Sequence, residues 1–117
     1  MSLRYGYLTV VFLFWLLVGP IPAAADPNTR ILIIHSYSQE YPWTRGEHMG
    51  FVAALREGHS GEVVIETEYL DTKRISLTPE YISTFTDYLK VKYREFKPTA
   101  IYVTDDNALG FTTRQLS

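Results

Sequence analysis

The chain contains no cysteine among its 117 residues. A disulfide framework, a thiolate metal site, a cysteine nucleophile and the lipid-modified cysteine of a lipoprotein anchor are therefore excluded. Positive charge is also sparse, because 11 Lys and Arg residues stand against 13 Asp and Glu residues and form no basic run. Nucleic-acid phosphates are bound by clustered cations, so this composition argues against a nucleic-acid partner.

The glycine-containing signatures of nucleotide-binding and hydrolytic enzymes are absent as well. No G-x-G-x-x-G follows the first predicted strand, and neither the phosphate loop G-x-x-x-x-G-K-[ST] nor the nucleophile elbow G-x-S-x-G occurs. The histidines, His35, His48 and His59, lack the paired spacing of a zinc site. We therefore predict no catalytic residue, no bound metal and no cofactor in this chain.

The N-terminal residues have the pattern of a secretory signal peptide. A polar start with one arginine precedes the apolar run Leu8–Val18, which ends in a Gly-Pro pair, and Ala23 and Ala25 form an A-x-A cleavage pattern. We expect residues 1–25 to be removed before Asp26 and the mature chain to be periplasmic or otherwise extracytoplasmic. An uncleaved anchor is the alternative, although a membrane-spanning helix needs ~20 apolar residues and this run is shorter.

Strand and helix patterns alternate through the remaining residues, 26–117. The predicted strands are Arg30–His35, Val63–Leu70 and Thr99–Thr104, and the predicted helices are Thr44–Glu57, Thr78–Phe96 and Ala108–Leu116. We expect the helix caps to be Thr44, Thr78, and one of Asp105 and Asp106. The order β-α-β-α-β-α indicates an α/β fold with a parallel sheet and right-handed crossovers. Complete doubly wound sheets usually have five or six strands, so we expect a partial doubly wound sheet, the truncated first half of a lobe.

Three polar segments occupy the positions where ligands of open parallel sheets bind, beyond the carboxyl ends of the strands. His35–Ser38 follows the first strand, Asp71–Arg74 the second and Asp105–Asn107 the third. Because the carboxyl ends of parallel strands share one edge of the sheet, we expect these segments to meet at a single rim. Their common placement predicts a binding site for a small polar ligand.

Each segment also has a purely structural interpretation. His35 fits a residue that bonds to backbone at the strand end, and Ser36 and Ser38 fit hydroxyls that close a turn. Asp71 stands beside two cations, which is more typical of a solvated, self-compensating loop. Trp43 fits a ring that stacks on a ligand as well as one that packs over the first helix.

Three sequence blocks, ILIIHSYSQEYPWT, EYLDTKR and YVTDDNAL, resemble in their order and spacing the type 1 periplasmic-binding-protein-like domain of ABC-transporter substrate-binding proteins. The same domain forms the extracytoplasmic sensor of bacterial histidine kinases and diguanylate cyclases. The resemblance covers residues 30–117 and implies a two-lobed clamshell that closes on a small solute. It implies first-lobe ligand contacts from Ser36, Tyr37, Trp43, Asp71, Asp105, Asp106 and Asn107.

We therefore expect part of an extracytoplasmic solute-binding or solute-sensing domain and not an enzyme. Its expected partners are a small-molecule ligand and either an ABC permease or a membrane-bound kinase or cyclase module, whose activity would lie outside this chain. Two alternatives stay open. Asp105 and Asp106 fit a metal-assisted phosphotransfer or hydrolysis site, and a bare sheet edge fits a protein-interaction module.

Overall fold

The computed structural model describes residues 28–117, and the predicted signal peptide lies outside the described residues. Its elements are β1 (Thr29–His35), α1 (Pro42–Gly58), β2 (Val63–Tyr69), α2 (Pro79–Lys92), β3 (Ala100–Thr104) and α3 (Asp105–Gln115). β1 pairs in parallel with both other strands, in the order β2-β1-β3. The predicted α/β fold with a partial doubly wound parallel sheet is confirmed, and the strand bounds agree to within one residue.

The central strand β1 is apolar on both sides because helices cover both faces of the sheet. Successive strand side chains point to opposite faces. Leu32 and Ile34 pack in a cluster with Leu89 of α2, with Tyr93 just after that helix, and with Ala108 and Phe111 of α3. Ile33 faces the other way, and beside it the ring of Tyr102 stacks on Phe51 of α1 with 3.6 Å between ring centroids. Placing α1 opposite α2 and α3 agrees with right-handed crossovers in this strand order.

Helix α1 begins two residues earlier than predicted, at Pro42. Tyr41 occupies the cap position and offers no side-chain hydrogen bond, so the prediction of Thr44 as the cap is wrong. Proline at the first helical position needs no partner for a backbone N–H, and its fixed φ favours the helix, which explains the earlier start. Thr44 instead lies inside the first turn and is buried.

Helix α2 begins as predicted and ends earlier. Thr78 caps it, because its Oγ1 accepts the backbone N–H of Tyr81 at 3.1 Å. The helix ends at Lys92 and not at Phe96, since the chain turns there and reaches a positive φ of 47° at Lys97, just before Pro98. None of the helices within residues 28–117 has the length and apolar character needed to cross a membrane.

Glu68 of β2 is a buried carboxylate on the face covered by α2. Its Oε1 accepts the hydroxyl of Tyr93, the hydroxyl of Tyr88 at 3.1 Å and Nζ of Lys92 at 2.6 Å. Burial raises the pKa of Tyr93, and the hydrogen bond to Glu68 raises it further. Hydrogen bonding to Glu68 likewise raises the pKa of Lys92. Because a buried charge is costly without partners, this network fixes α2 against β2.

We predict that Tyr93→Phe lowers the free energy of unfolding by ~1.5–3 kcal/mol, because it removes a buried hydrogen bond to a charged group. Tyr88→Phe is the matched control, since Tyr88 donates to the same oxygen but is 44% exposed. We expect the control to lose less than half as much. Urea-induced unfolding measures both, and equal losses in the two variants would contradict this description of the network.

Candidate functional site

Ser36 joins the carboxyl ends of β1 and β3 at the rim of the sheet. Its side chain is fully buried, and its hydroxyl donates to the backbone C=O of Thr104 at 2.7 Å. The same oxygen accepts the backbone N–H of Ala108 at 2.8 Å. The hydroxyl thus stands between a carbonyl and the amide four residues later, where a helix would form its first internal bond. The hydroxyl of Ser36, a predicted ligand contact, therefore already donates to one backbone group of the protein and accepts from another.

Thr72 extends this link to the end of β2. Its backbone N–H and its Oγ1 both donate to the C=O of Ser36, at 2.8 and 3.0 Å. Nδ2 of Asn107 in turn donates to Oγ1 of Thr72 at 2.8 Å. The segments after all three strands are therefore connected in one hydrogen-bonded chain. We call this hydrogen-bonded network the rim. It consists of Ser36, Thr72 and Asn107 together with the bonds to Thr104 and Ala108.

Helix α3 begins at Asp105 and not at Ala108, so the predicted turn Asp105–Asn107 forms its first helical turn. Thr104 holds the cap position without a side-chain cap bond, and the prediction that an aspartate caps this helix is wrong. Asp105 and Asp106 lie inside the first turn instead, and the Ser36 hydroxyl stands where the Ala108 amide would bond to the Thr104 carbonyl. Asp105 has a φ of 64°, a left-handed conformation that aspartate tolerates better than most residues.

A histidine pair connects β1 to α1 just below the rim. Nδ1 of His35 lies 2.8 Å from Oγ1 of Thr104, and Nε2 lies 3.0 Å from Nδ1 of His48. The ring of Tyr69 stacks on His35 with 5.3 Å between centroids. The interpretation of His35 as a residue bonded to backbone is wrong, because both ring nitrogens meet side chains. Burial, and secondly the charge of His48, lowers the pKa of His35 from 6.5 to about 4.

Glu47 of α1 forms a carboxyl pair with Asp105 beside the histidines. Burial raises the pKa of Glu47, and the charge of Asp105 raises it further, while hydrogen bonding to Trp43 and Thr104 opposes the rise. Oε2 of Glu47, Oδ2 of Asp105 and Oγ1 of Thr44 are buried without a hydrogen-bond partner in the described part of the chain. Buried oxygens without a hydrogen-bond partner are uncommon in proteins, and these three form a polar region between α1 and β3.

Sequence reasoning did not select Thr44, Glu47 or His48 as site residues, because all three lie within α1. Their spacing carried a signal, since positions three and four residues after Thr44 share its helix face. Polar residues at that spacing place a hydrophilic stripe on the helix face that meets the sheet. Thr72 was likewise passed over, although it lies in the predicted segment after β2.

The rim is the first candidate site, and a pocket on its β2 side, beside Tyr37 and Asp71, is the other. We call it the second pocket. It has a volume of about 310 Å³ and is lined by Tyr37, Ser38, Glu40, Tyr41, Pro42, Asp71, Lys73 and Arg74. Nε of Arg74 donates to both carboxylate oxygens of Asp71, at 3.0 and 2.8 Å. The interpretation of this segment as a self-compensating loop thus holds for Asp71 and Arg74. Lys73 turns elsewhere, over the tyrosine rings.

The structure groups the predicted site residues unevenly. Ser36 and Asn107 are connected through Thr72. Tyr37 and Asp71 line the second pocket. Asp105 faces α1, where the mostly exposed ring of Trp43 lies next to Glu47. Asp106 stands apart from Asp105, in a depression between α2 and α3 that Arg114 also lines. Within residues 28–117 no group of three or more His, Asp or Glu side chains is arranged to hold a metal ion.

Comparison of the chain with protein-family models, curated proteins and solved structures finds no match. The resemblance to the type 1 periplasmic-binding-protein-like family therefore stays a prediction from the three sequence blocks.

We predict that neutral His35 makes stability fall as the pH falls from about 6.5 to about 4. The pKa of His35 is lower in the folded chain than in the unfolded chain, so the unfolded chain binds the proton first. The contribution is complete above about pH 6.5 and is lost towards about pH 4, by at most ~3 kcal/mol.

His35→Asn is the comparison that isolates this group, because every other residue is the same in both chains. Urea unfolding at several values between about pH 7.5 and about pH 4.5 gives the two stability profiles. The native profile should fall more steeply in this window than that of His35→Asn. Parallel profiles would show that the buried histidine does not oppose protonation.

Proposed function

We propose that this chain forms one wall of an extracytoplasmic binding site for a small polar solute, within a solute-binding or solute-sensing protein. The observation that carries the proposal is the rim itself. The segments that follow β1, β2 and β3 meet there through direct hydrogen bonds, because Thr72 donates to the backbone carbonyl of Ser36 and Asn107 donates to the hydroxyl of Thr72. Ligands of open parallel sheets bind at this edge.

The strand order supports a ligand position between β1 and β3. β1 lies in the centre of the sheet, and the helices that follow β1 and β3 lie on opposite faces. Connections that leave neighbouring strands towards opposite faces open a crevice between the strand ends, which is where ligands of doubly wound sheets bind. Glu47 of α1 interacts with Trp43, Asp105 and Thr104 at the end of β3, which supports a ligand position next to these residues.

Capture of the solute would use hydrogen bonding and stacking, without bond making or breaking. Trp43 is 61% exposed, so a broad ring is available to cover a ligand. Asp105, which like Trp43 interacts with Glu47, supplies a polar group on the same side. Closure of a second lobe over the solute would then signal occupancy to an ABC permease or to a membrane-bound kinase or cyclase module.

The metal-assisted alternative has less support from the geometry. It needs Asp105 and Asp106 to act together on one ion, as paired carboxylates do in phosphotransfer sites. Asp105 interacts with Glu47 on α1, whereas Asp106 shares a different depression with Arg114. Two carboxylates that face different neighbours do not form one coordination site.

We predict that Trp43→Ala weakens solute binding about tenfold, because a stacking ring contributes on the order of 1 kcal/mol or more. The solute is first found by a thermal-shift screen of amino acids, sugars, purines and short peptides. Its affinity for the variants is then measured by isothermal titration calorimetry. The melting temperature without solute should stay close to that of the native chain, because Trp43 is largely exposed.

Met49→Ala is the matched control, since Met49 is a large side chain on the same helix and is 69% exposed. It should bind the solute as the native chain does. Equal binding by Trp43→Ala and the native chain, or no stabilisation by any compound of these four classes, would contradict the proposed function.

A further inference from the structure

Two tyrosines at the second pocket form an edge-to-face aromatic pair. The ring centroids of Tyr37 and Tyr41 are 5.5 Å apart, with an angle of 84° between the ring planes. Tyr37 lies two residues after the end of β1, and Tyr41 holds the cap position of α1, so the ring pair spans the loop that joins these two elements. Rings at right angles present two negative π faces to one point, which is how proteins build sites for organic cations.

The side-chain ammonium of Lys73 already occupies that point. Its Nζ lies 4.6 Å from the ring centroid of Tyr37 and 4.8 Å from that of Tyr41, both within the range of a cation–π interaction. Lys73 forms no ion pair within residues 28–117, although Glu40 and Asp71 line the same pocket. The carboxylate of Asp71 is held by Arg74 instead. The lysine therefore rests on the rings rather than on a carboxylate.

We propose that the pair Tyr37–Tyr41 is a binding site for an alkylammonium group of the solute, and that Lys73 is an internal competitor which the solute displaces. The inference rests on the proposed function and names the chemical class of its ligand. Lys73 is an exposed side chain at a pocket of about 310 Å³, so it can swing into solvent while the ligand cation takes its place. The ligand cation replaces the ammonium of Lys73, so both rings stay in contact with a positive charge.

The charges around the pair favour a cation over an anion as the occupant. Glu40 and Asp71 carry negative charge, Arg74 is neutralised by Asp71, and the ring faces are themselves negative. When Lys73 leaves, the lining carries one uncompensated negative charge. An anionic ligand would have to approach both ring faces and the carboxylate of Glu40, and it would gain only Lys73.

The test uses tetramethylammonium chloride as the probe, because this cation cannot donate hydrogen bonds and reports the aromatic site alone. The full chain is titrated in phosphate buffer at constant ionic strength, with sodium chloride as the salt control. Proton NMR follows the ε-methylene signal of Lys73, which the facing rings shift upfield. We expect saturable binding of tetramethylammonium, with this signal moving back towards its position in a free lysine.

Variants separate the ring site from general electrostatics. Lys73→Gln should bind tetramethylammonium about two- to fivefold more tightly, the change that corresponds to losing a competing cation–π contact of ~0.5–1 kcal/mol. Arg45→Gln removes one positive charge a helical turn from Tyr41 and should leave the affinity unchanged. Tyr41→Leu should abolish saturable binding, and Tyr41→Phe should retain it because the ring remains.

The possible results distinguish failure of the ammonium site from failure of the proposed function. An equal gain in Lys73→Gln and Arg45→Gln, or equal binding by Tyr41→Leu and Tyr41→Phe, would overturn the proposal. Absence of tetramethylammonium binding in all variants would also overturn it. If a different solute then bound in a Trp43-dependent manner, the rim would still be a binding site, and only the ammonium class would be wrong.

Discussion

The hydroxyl of Ser36 is the contact on which the arrangement of the strand ends depends. It completes the hydrogen bonding of the Thr104 carbonyl and the Ala108 amide, two backbone groups that are buried at the start of α3. Buried backbone groups without partners cost free energy, so the start of this helix is held to the end of β1. Because this hydroxyl stands in the first internal bond of α3, the start of the helix depends on the neighbouring strand.

From this contact the two sides of the rim acquire different chemistry. On the α1 side, His35, His48, Glu47 and Asp105 form a polar cluster in which burial and a neighbouring charge lower the pKa of His35 and raise the pKa of Glu47. On the β2 side the pocket is open and is dominated by aromatic rings and exposed charges. We infer that the α1 side determines the position of the proposed crevice, because its side chains interact with one another. The β2 side is free to exchange partners.

The fold could be predicted from the sequence because local patterns determine it. The apolar run of β1 indicated a strand covered on both faces, and Thr78-Pro79-Glu80 indicated the start of α2. The predicted start of α1 at Thr44 is wrong because threonine is a common helix cap, although Pro42 already begins the helix. Local patterns were also wrong at the end of α2 and at the start of α3.

The site was predictable in its location but not in its membership. The segments that follow the strands are visible in the sequence, and they include Asn107 of the rim and Asp71 of the second pocket. The partners from α1, Glu47 and His48, come together with β1 and β3 only when the helix packs on the sheet. The role of Ser36 was hidden for the same reason, since its partners lie about 70 residues away along the chain. Such long-range contacts leave no mark in a local pattern.

Native-state hydrogen exchange of the Ala108 amide, in the native chain and in Ser36→Ala, tests the central claim most directly. If the serine hydroxyl holds this amide, the native chain protects it as strongly as the amides of β1. Ser36→Ala should then lower that protection by about 5- to 150-fold, which corresponds to ~1–3 kcal/mol for an unsatisfied buried group. Protection of the Ala108 amide that is unchanged in Ser36→Ala would contradict the account.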